Sequence, residues 1–523
     1  VTDLRAILAV ALLALAVYLP SLGNGFAFDD EGDILENPTV VDASGPIDVL
    51  LSPYRGQVPP QRSPYRPVTS LTLWMNWVAG GDGPAGFHVV NVLLHVLASA
   101  LVVRLLIALG CAASGALIGG ALFAVHPIHV EAVANVVGRA DVLATIFCLV
   151  AALVWVSPKL GSVSRVVLVA IAYALALGSK EIAVFLPGLL LALSWARPAG
   201  RRLAGEVARL TPTVAVLGGY LLVRLSALGL LVQQDTAPYI AELTTAERLP
   251  TAVASLAVMG RLLFAPWNLA ADYGPNVIQV VGFASAGFWM GALSAGLCIA
   301  LAWQLRRRER LGTLALAWIG LSVLVVSNLP FAIGIWVAER TLYLASVGVG
   351  IGAAALVGAL GAHAPSALRG TLAAATLAVA VGAWRTVDRI PSWHDTEVAF
   401  RTLAEEHPES FRGQWWLARR LTDAGDYEAG LRWFERATAT SPNDLRLKLD
   451  YARALLLAGR PAEAEALVAP LPGTDPARFV YLAQSRIMTD RPDEAREDLR
   501  EGLARFPNDA RLIDQARELG IEP

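Results

Sequence analysis

The chain has 523 residues, of which 55% are hydrophobic and only 16% charged. That balance excludes an ordinary soluble globular protein and points to an integral membrane protein. The formal net charge of -2 averages over two unlike regions. Few ionisable residues fall in the apolar runs before about residue 385, whereas Asp, Glu and Arg crowd the remainder, so a membrane domain over 1–388 and a water-exposed domain over 389–523 are expected. Cys111, Cys148 and Cys298 each lie in or beside an apolar run, which leaves no readable disulfide framework or Cys-based zinc site.

The first apolar run, LRAILAVALLALAVYLP, is followed by SLGNGF, which lacks a small-x-small cleavage pattern. It reads as a retained anchor rather than a signal peptide. Directly after it, FAFDDEGDILENP presents Asp29, Asp30, Glu31 and Asp33. A charge run of this kind is most often a solvated loop. Next comes YRPVTSLTLWMNW, with Arg66 among aromatics. A bilayer core needs about 20 mostly apolar residues per helix. On that rule, spans are expected near 4–19, 87–108, 114–127, 137–156, 165–179, 181–196, 210–228, 284–304, 311–331, 341–360 and 367–387. The segment 249–265 is apolar but holds Arg261 and is expected to be interfacial or re-entrant.

Short cytoplasmic loops retain Lys and Arg. If 249–265 does not cross, Lys159 and Arg165, then Arg197, Arg201, Arg202 and Arg209, then Arg306, Arg307, Arg308 and Arg310, then Arg369 all fall on one side. The amino terminus is then cytoplasmic and the carboxyl terminus extracytoplasmic, eleven helices cross, and the acidic loop faces outward together with 227–283 and the turns near 126–136, 180 and 332–340.

After about residue 390 the pattern becomes that of soluble helical repeats. FRGQWWLARRLTDAGDYEAGLRWFERATATSPND places Ala418, Gly425, Tyr427, Phe434, Ala437 and Pro442 where a 34-residue tetratricopeptide repeat (TPR) needs them. Ala452, Gly459 and Ala464 recur one period later, Ala483, Ala495 and Pro507 mark a third copy, and Phe400 and Pro408 close a preceding half-repeat. Stacked repeats bury a core that no single unit closes.

Several ionisable groups gather on the outer side: the acidic loop, Arg66, HPIHVEAVANVVGRAD from His126 to Asp141, Lys180 and Glu181 in GSKE, Asp272 and Tyr273 in LAADYGP, and Glu339 and Arg340 in AERTLYL. Ionisable groups at membrane depth usually face a cavity or a partner. Lys180 and Glu181 either pair with each other or offer a phosphate contact, and Glu339 and Arg340 carry the same two readings. His126, His129 and Glu131 lack the H-E-x-x-H spacing of a zinc site, which favours histidines that stabilise a helix start. A carboxylate at a membrane surface can take a proton from a hydroxyl acceptor, and nearby cations can neutralise a departing phosphate. With apolar helices to hold a lipid tail, that set describes glycosyl transfer from a lipid-linked sugar.

The stretches FAFDDEGDILENP, SPYRPVTSLTLWMNW, FHVVNVLLHVLASALV, HPIHVEAVANVVGRADVLA, GSKEIAVFLPGLLL, LLFAPWNLAADY and WVAERTLYLASVG, followed by TPRs, resemble the transmembrane-and-TPR-containing O-mannosyltransferases from about residue 17 to the end. The resemblance implies an all-α protein with a GT-C-type helical core and a C-terminal TPR solenoid. It implies a polyprenyl- or dolichyl-phosphate sugar as donor, a protein Ser or Thr hydroxyl as acceptor, an active site on the non-cytoplasmic face and no nucleic-acid partner. Acidic residues in the first outer loop of that fold correspond here to Asp29 and Asp30, with Asp29 favoured as base and Asp30 as its partner, and the reverse assignment left open. Lys180, Arg340 and Arg139 are the candidates for the donor phosphate. Arg66, His126, His129, Glu131, Asp272, Tyr273 and Glu339 are expected to shape the pocket, with no resident metal assigned and a divalent cation left open. Only about three repeats follow the core, and the Ala-, Leu-, Val- and Arg-rich composition looks bacterial. The expected location is then a bacterial inner membrane, with undecaprenyl- or decaprenyl-phosphate in place of dolichol and a hexose that need not be mannose. Transfer to a glycan or lipid is an alternative within the enzyme class. Outside it stand a non-catalytic TPR scaffold for envelope assembly, with its acids apart from Lys180 and Arg340, and a transporter, ranked last because the membrane core shows no clear internal duplication.

Overall fold

A computed structural model describes residues 2–56, 58, 63–197, 203–229, 240, 243–274 and 276–521. Arg201, Arg202 and part of the 227–283 loop lie outside them. The described residues contain no strand. Eight helices are long and apolar enough to span a membrane: Asp3–Gly23, Pro84–Ala108, Val136–Val156, Ser162–Ser179, Gly205–Leu228, Ala286–Leu305, Glu339–His363 and Pro365–Trp393. A bent pair, Ala113–Ala124 with Pro127–Val133, and two shorter apolar helices, Glu181–Ala196 and Arg310–Val326, account for the remaining expected spans. The chain is a multi-pass membrane protein.

The departures have local causes. The run expected over 114–127 turns by 47° after Ala124. Pro127 has no N–H and disfavours helical geometry in the residue before it, and His126 sits at φ -71, ψ 124. At the start of Leu186–Ala196, Pro187 occupies the first turn, where its missing N–H costs no helical bond. The segment expected to be re-entrant or interfacial belongs to one continuous helix, Thr245–Phe264. A capping box starts that helix: the Glu247 N–H donates to the Thr244 hydroxyl and the Thr244 N–H to the Glu247 carboxylate. Pro67–Gly80 is a helix of 14 residues, too short for the span rule to find.

Close packing needs small residues where backbones meet. A carbon added to Gly350 would lie 2.8 Å from the Gly119 carbonyl oxygen, so Ala113–Ala124 and Tyr343–His363 touch through their main chains. Gly138 is as constrained, since a side chain there would sit 2.6 Å from backbone atoms of Glu131 and Ala132.

By contacts the chain divides into two units, Val1–Tyr273 with Val280–Ala399, and Gly274–Gln279 with Phe400–Pro523. In the second, paired helices run from Phe411–Asp423 to Ala510–Glu518. Ala418, Ala437, Ala452, Ala464, Ala483 and Ala495 are all buried, because helix pairs approach closely only where side chains are small, and Phe434 is buried in the same core as Ala418 and Ala437. Gly425 and Gly459 turn the chain between paired helices at φ 87 and 72, a region open to Gly without a Cβ penalty. At the third such turn Asp490 adopts φ 60.

Candidate functional site

The four acids of the first loop have four different fates. Asp29 pairs with Arg340, Oδ2 to Nη2 3.1 Å. Asp30 accepts the N–H groups of Ala27 at 3.1 Å, Val136 at 3.1 Å and Val137 at 2.8 Å. Glu31 accepts the Thr396 hydroxyl at 2.7 Å, and Asp33 pairs with Arg55 at 2.7 Å. Asp30 has no exposure and the Asp29 side chain has 28%, so only Asp29 of the two is reachable by an acceptor. Burial pushes the Asp30 carboxyl up to about 7, its three backbone N–H partners pull it down, and the Asp29 charge adds to the rise. Burial likewise raises Asp33 to about 6, against the opposing charge of Arg55.

The backbone leading into Asp29 takes an uncommon conformation. Phe28 sits at φ 60, a conformation that costs a non-glycine residue about 1–2 kcal/mol. Its N–H donates to Thr396 Oγ1 at 2.9 Å and its ring meets Trp393 edge-on at 6.2 Å. The chain then continues into a π-helical turn, Glu31–Leu35, a geometry frequent at functional sites.

Opposite the acids lies the turn 130–138. Glu131 accepts the main-chain N–H of Arg340 at 2.9 Å and faces its guanidinium at 3.4 Å. Arg340 therefore bridges Asp29 and Glu131. Asn91 holds the turn from behind through the carbonyls of Val133, Asn135 and Val136. Arg139 completes that support: it donates to Asn91 Oδ1 at 2.7 Å, Asn76 Oδ1 at 2.6 Å and the carbonyls of Thr72 and Phe87. It is fully buried. Four of its five N–H donors are spent on the protein and none of its surface is exposed, so it is not placed to meet a phosphate.

Lys180 and Glu181 do not pair with each other. Lys180 Nζ reaches Asp141 Oδ2 at 2.5 Å, while Glu181 pairs with Arg66 at 3.0 Å and Arg224 at 3.2 Å. Arg66 also covers the Tyr54 ring. The Lys180 side chain keeps 13% exposure and Arg340 keeps 20%. The charges of Asp141, Arg66 and Arg340 all act on Lys180, so the two ion-pair groups form one electrostatic cluster.

The expected pocket residues separate. His126 Nε2 bonds the Leu263 carbonyl and its Nδ1 accepts the Ile128 N–H, the helix-start role. His129 bonds Ser346 Oγ at 2.8 Å and packs on the Tyr343 ring. Both are buried and hold the helices behind Glu131. Glu339 is buried and accepts the Tyr273 hydroxyl at 2.8 Å and the Ala270 N–H at 2.7 Å, which ties the 265–273 loop to the helix bearing Arg340. Asp272 is half-buried in that loop. No group of three or more His, Cys, Asp or Glu among the described residues is arranged to hold a metal ion.

Asp141, Asp33, Arg55, Asn91 and Arg224 were not picked out as site residues from the sequence. Asp141 carried a usable signal, an acid within an apolar run. So did Asn91, His95 and Ser99, polar groups at helical spacing on Pro84–Ala108. Arg224, a base within the apolar run 210–228, carried the same signal as Asp141, whereas Arg55, the partner of Asp33, carried none.

The tetratricopeptide repeat family matches residues 421–483. Human protein O-mannosyl-transferase TMTC4 is 28% identical over 82% of this chain and 65% of its own length. Drosophila melanogaster Tmtc1 is 28% identical over 82% and 60%, and Mus musculus TMTC3 is 27% identical over 89% and 54%. The chain thus spans 54–65% of the length of these relatives. The crystal structure of ArnT from Cupriavidus metallidurans bound to undecaprenyl phosphate overlaps 94% of this chain and 88% of its own, at a TM-score of 0.38 and 15% identity.

Proposed function

We propose that this homologue of the transmembrane-and-TPR O-mannosyl-transferases is itself a membrane glycosyltransferase with a GT-C-type core, moving a hexose from a polyprenyl phosphate to a protein hydroxyl on the extracytoplasmic face. The observation that carries the reading is the Asp29–Arg340–Glu131 bridge beside Lys180–Asp141, a reachable carboxylate set against two cations that each keep some exposure. The relatives named as protein O-mannosyl-transferases, which align with four-fifths or more of this chain, support the same assignment.

In this reading Asp29 takes the proton of a Ser or Thr hydroxyl as its oxygen forms a bond to the sugar C1. The bond from C1 to the phosphate oxygen breaks, the electron pair leaves with the polyprenyl phosphate, and the configuration at C1 inverts. Arg340 and Lys180 stabilise the charge on the departing phosphate. An Arg beside a carboxylate depresses its basicity. A donor phosphate that draws Arg340 from Asp29 therefore leaves a stronger base at the moment one is needed, while Glu131 keeps Arg340 in place. The repeats position the acceptor polypeptide.

The scaffold alternative requires the loop acids to lie apart from the cations, and the 3.1 Å contact between Asp29 and Arg340 weighs against it. The test is transfer of radiolabelled hexose from polyprenyl-phosphate-hexose to membrane proteins. Asp29→Asn should lower transfer by about 10²–10⁴-fold, the range of a lost general base, with donor binding retained. Asp30→Asn should act through stability. Equal labelling by native chain and D29N would sink the base assignment, and no labelling by either would restore the scaffold.

A further inference from the structure

The end of the last membrane helix, with the segment that follows it, lies against the loop bearing Asp29. Asn24 Nδ2 donates to the carbonyls of Ile390 and Trp393 at 3.3 and 3.1 Å, and the Gly25 N–H donates to the His394 carbonyl at 2.7 Å. The Phe28 ring meets Trp393. Most pointed is Thr396, whose single hydroxyl accepts the Phe28 N–H at 2.9 Å and donates to Glu31 Oε1 at 2.7 Å. It is tied to the residue before Asp29 and to the residue two after it. Asp395 supports it by accepting the Val398 N–H at 2.8 Å, which starts the helix Thr396–Glu406.

We infer that Thr396 is a positioning residue for Asp29, holding the carboxylate in line with Arg340 from a distance of 367 residues along the chain; this rests on the reading of Asp29 as the base. The physical reason lies at Phe28. Its left-handed conformation is unfavourable for a residue with a Cβ and persists only where the surroundings impose it. The Thr396 hydroxyl satisfies the Phe28 N–H in that conformation. Without the bond, Phe28 relaxes toward ordinary backbone angles, the peptide leading to Asp29 rotates, and the carboxylate leaves Arg340. Misplacement of a reacting group by about 1 Å costs on the order of 10²-fold in rate.

The test measures hexose transfer by the full-length protein in native membranes, with radiolabelled polyprenyl-phosphate-hexose as donor. Thr396→Val keeps the shape and removes both hydrogen bonds. Transfer should fall at least about tenfold in kcat with KM for the donor unchanged, and Thr396→Ser, which keeps the hydroxyl, should restore it. Adding Phe28→Gly to T396V should recover part of the loss, since glycine adopts positive φ without help; that combination separates positioning from a general loss of packing. Native kcat in T396V, with D29N inactive, would overturn the role of Thr396 and leave the base assignment standing. Equal loss in T396V and T396S, or no recovery with F28G, would also overturn it. Full transfer by D29N would remove both.

Discussion

Asp29 and Asp30 are chemically identical neighbours, and their surroundings give them different work. Asp29 keeps a solvent-facing edge and a cation partner, whereas both Asp30 oxygens are held by main-chain N–H groups of Ala27, Val136 and Val137. Asp30 thus fastens the first loop to the turn that carries Glu131. A pH dependence follows. In the unfolded chain the carboxyl titrates near 3.9, and in the folded protein at about 7. Stability from this group is full below about pH 4 and is lost as pH rises through about 7, because the native state then holds a proton that the unfolded chain has released. Asn does not titrate. The thermal midpoint of Asp30→Asn in detergent, relative to the native chain, should therefore rise between about pH 5 and about pH 8. A difference constant over that range would show that the carboxylate is ionised throughout.

At the scale of elements, two devices place the site: breaks in helices and close approaches between them. Pro127 ends one apolar run so that the chain can form the turn holding Glu131, and the Gly119–Gly350 contact sets the Tyr343–His363 helix that follows Arg340. Gly350→Ala should cost about 1–3 kcal/mol, the usual range for overpacking, read as a lower midpoint of thermal unfolding in detergent. Gly358→Ala lies on the same helix with nothing within 4 Å of the added carbon and should leave the midpoint unchanged or slightly raised. An equal drop at both positions would show that the cost does not arise at the crossing.

For the whole molecule, the distribution of arginine sets a direction across the bilayer. The loop around Arg306, Arg307 and Arg308 should be cytoplasmic and the loop around Asp29 extracytoplasmic. With Cys111, Cys148 and Cys298 replaced by Ala, Asp42→Cys should react with a membrane-impermeant maleimide in intact cells, and Arg308→Cys only after permeabilisation. Both positions are exposed, so access and not burial decides the outcome. The opposite pattern would reverse the orientation and put the acids on the cytoplasmic side.

Much of the architecture was legible because it depends on neighbours in the chain. A run of apolar residues spans a bilayer whatever lies elsewhere, and each of the eleven expected spans corresponds to a helix, a bent pair or a shorter apolar helix. Small residues at a fixed period, from Ala418 to Ala495, define stacked repeats, and the buried alanines follow that period. The site was legible as a set of segments and not as a set of partners. Lys180 and Glu181 adjoin in sequence and point to Asp141 and Arg66, and Arg139, basic and beside the turn, is consumed by Asn76 and Asn91. Apolar runs and repeat periods are properties of short stretches, which the sequence by itself determined. Which charge meets which depends on backbone brought together from more than a hundred residues away, as Val136 is to Asp30 and Arg340 to Asp29, and only the tertiary structure decided it.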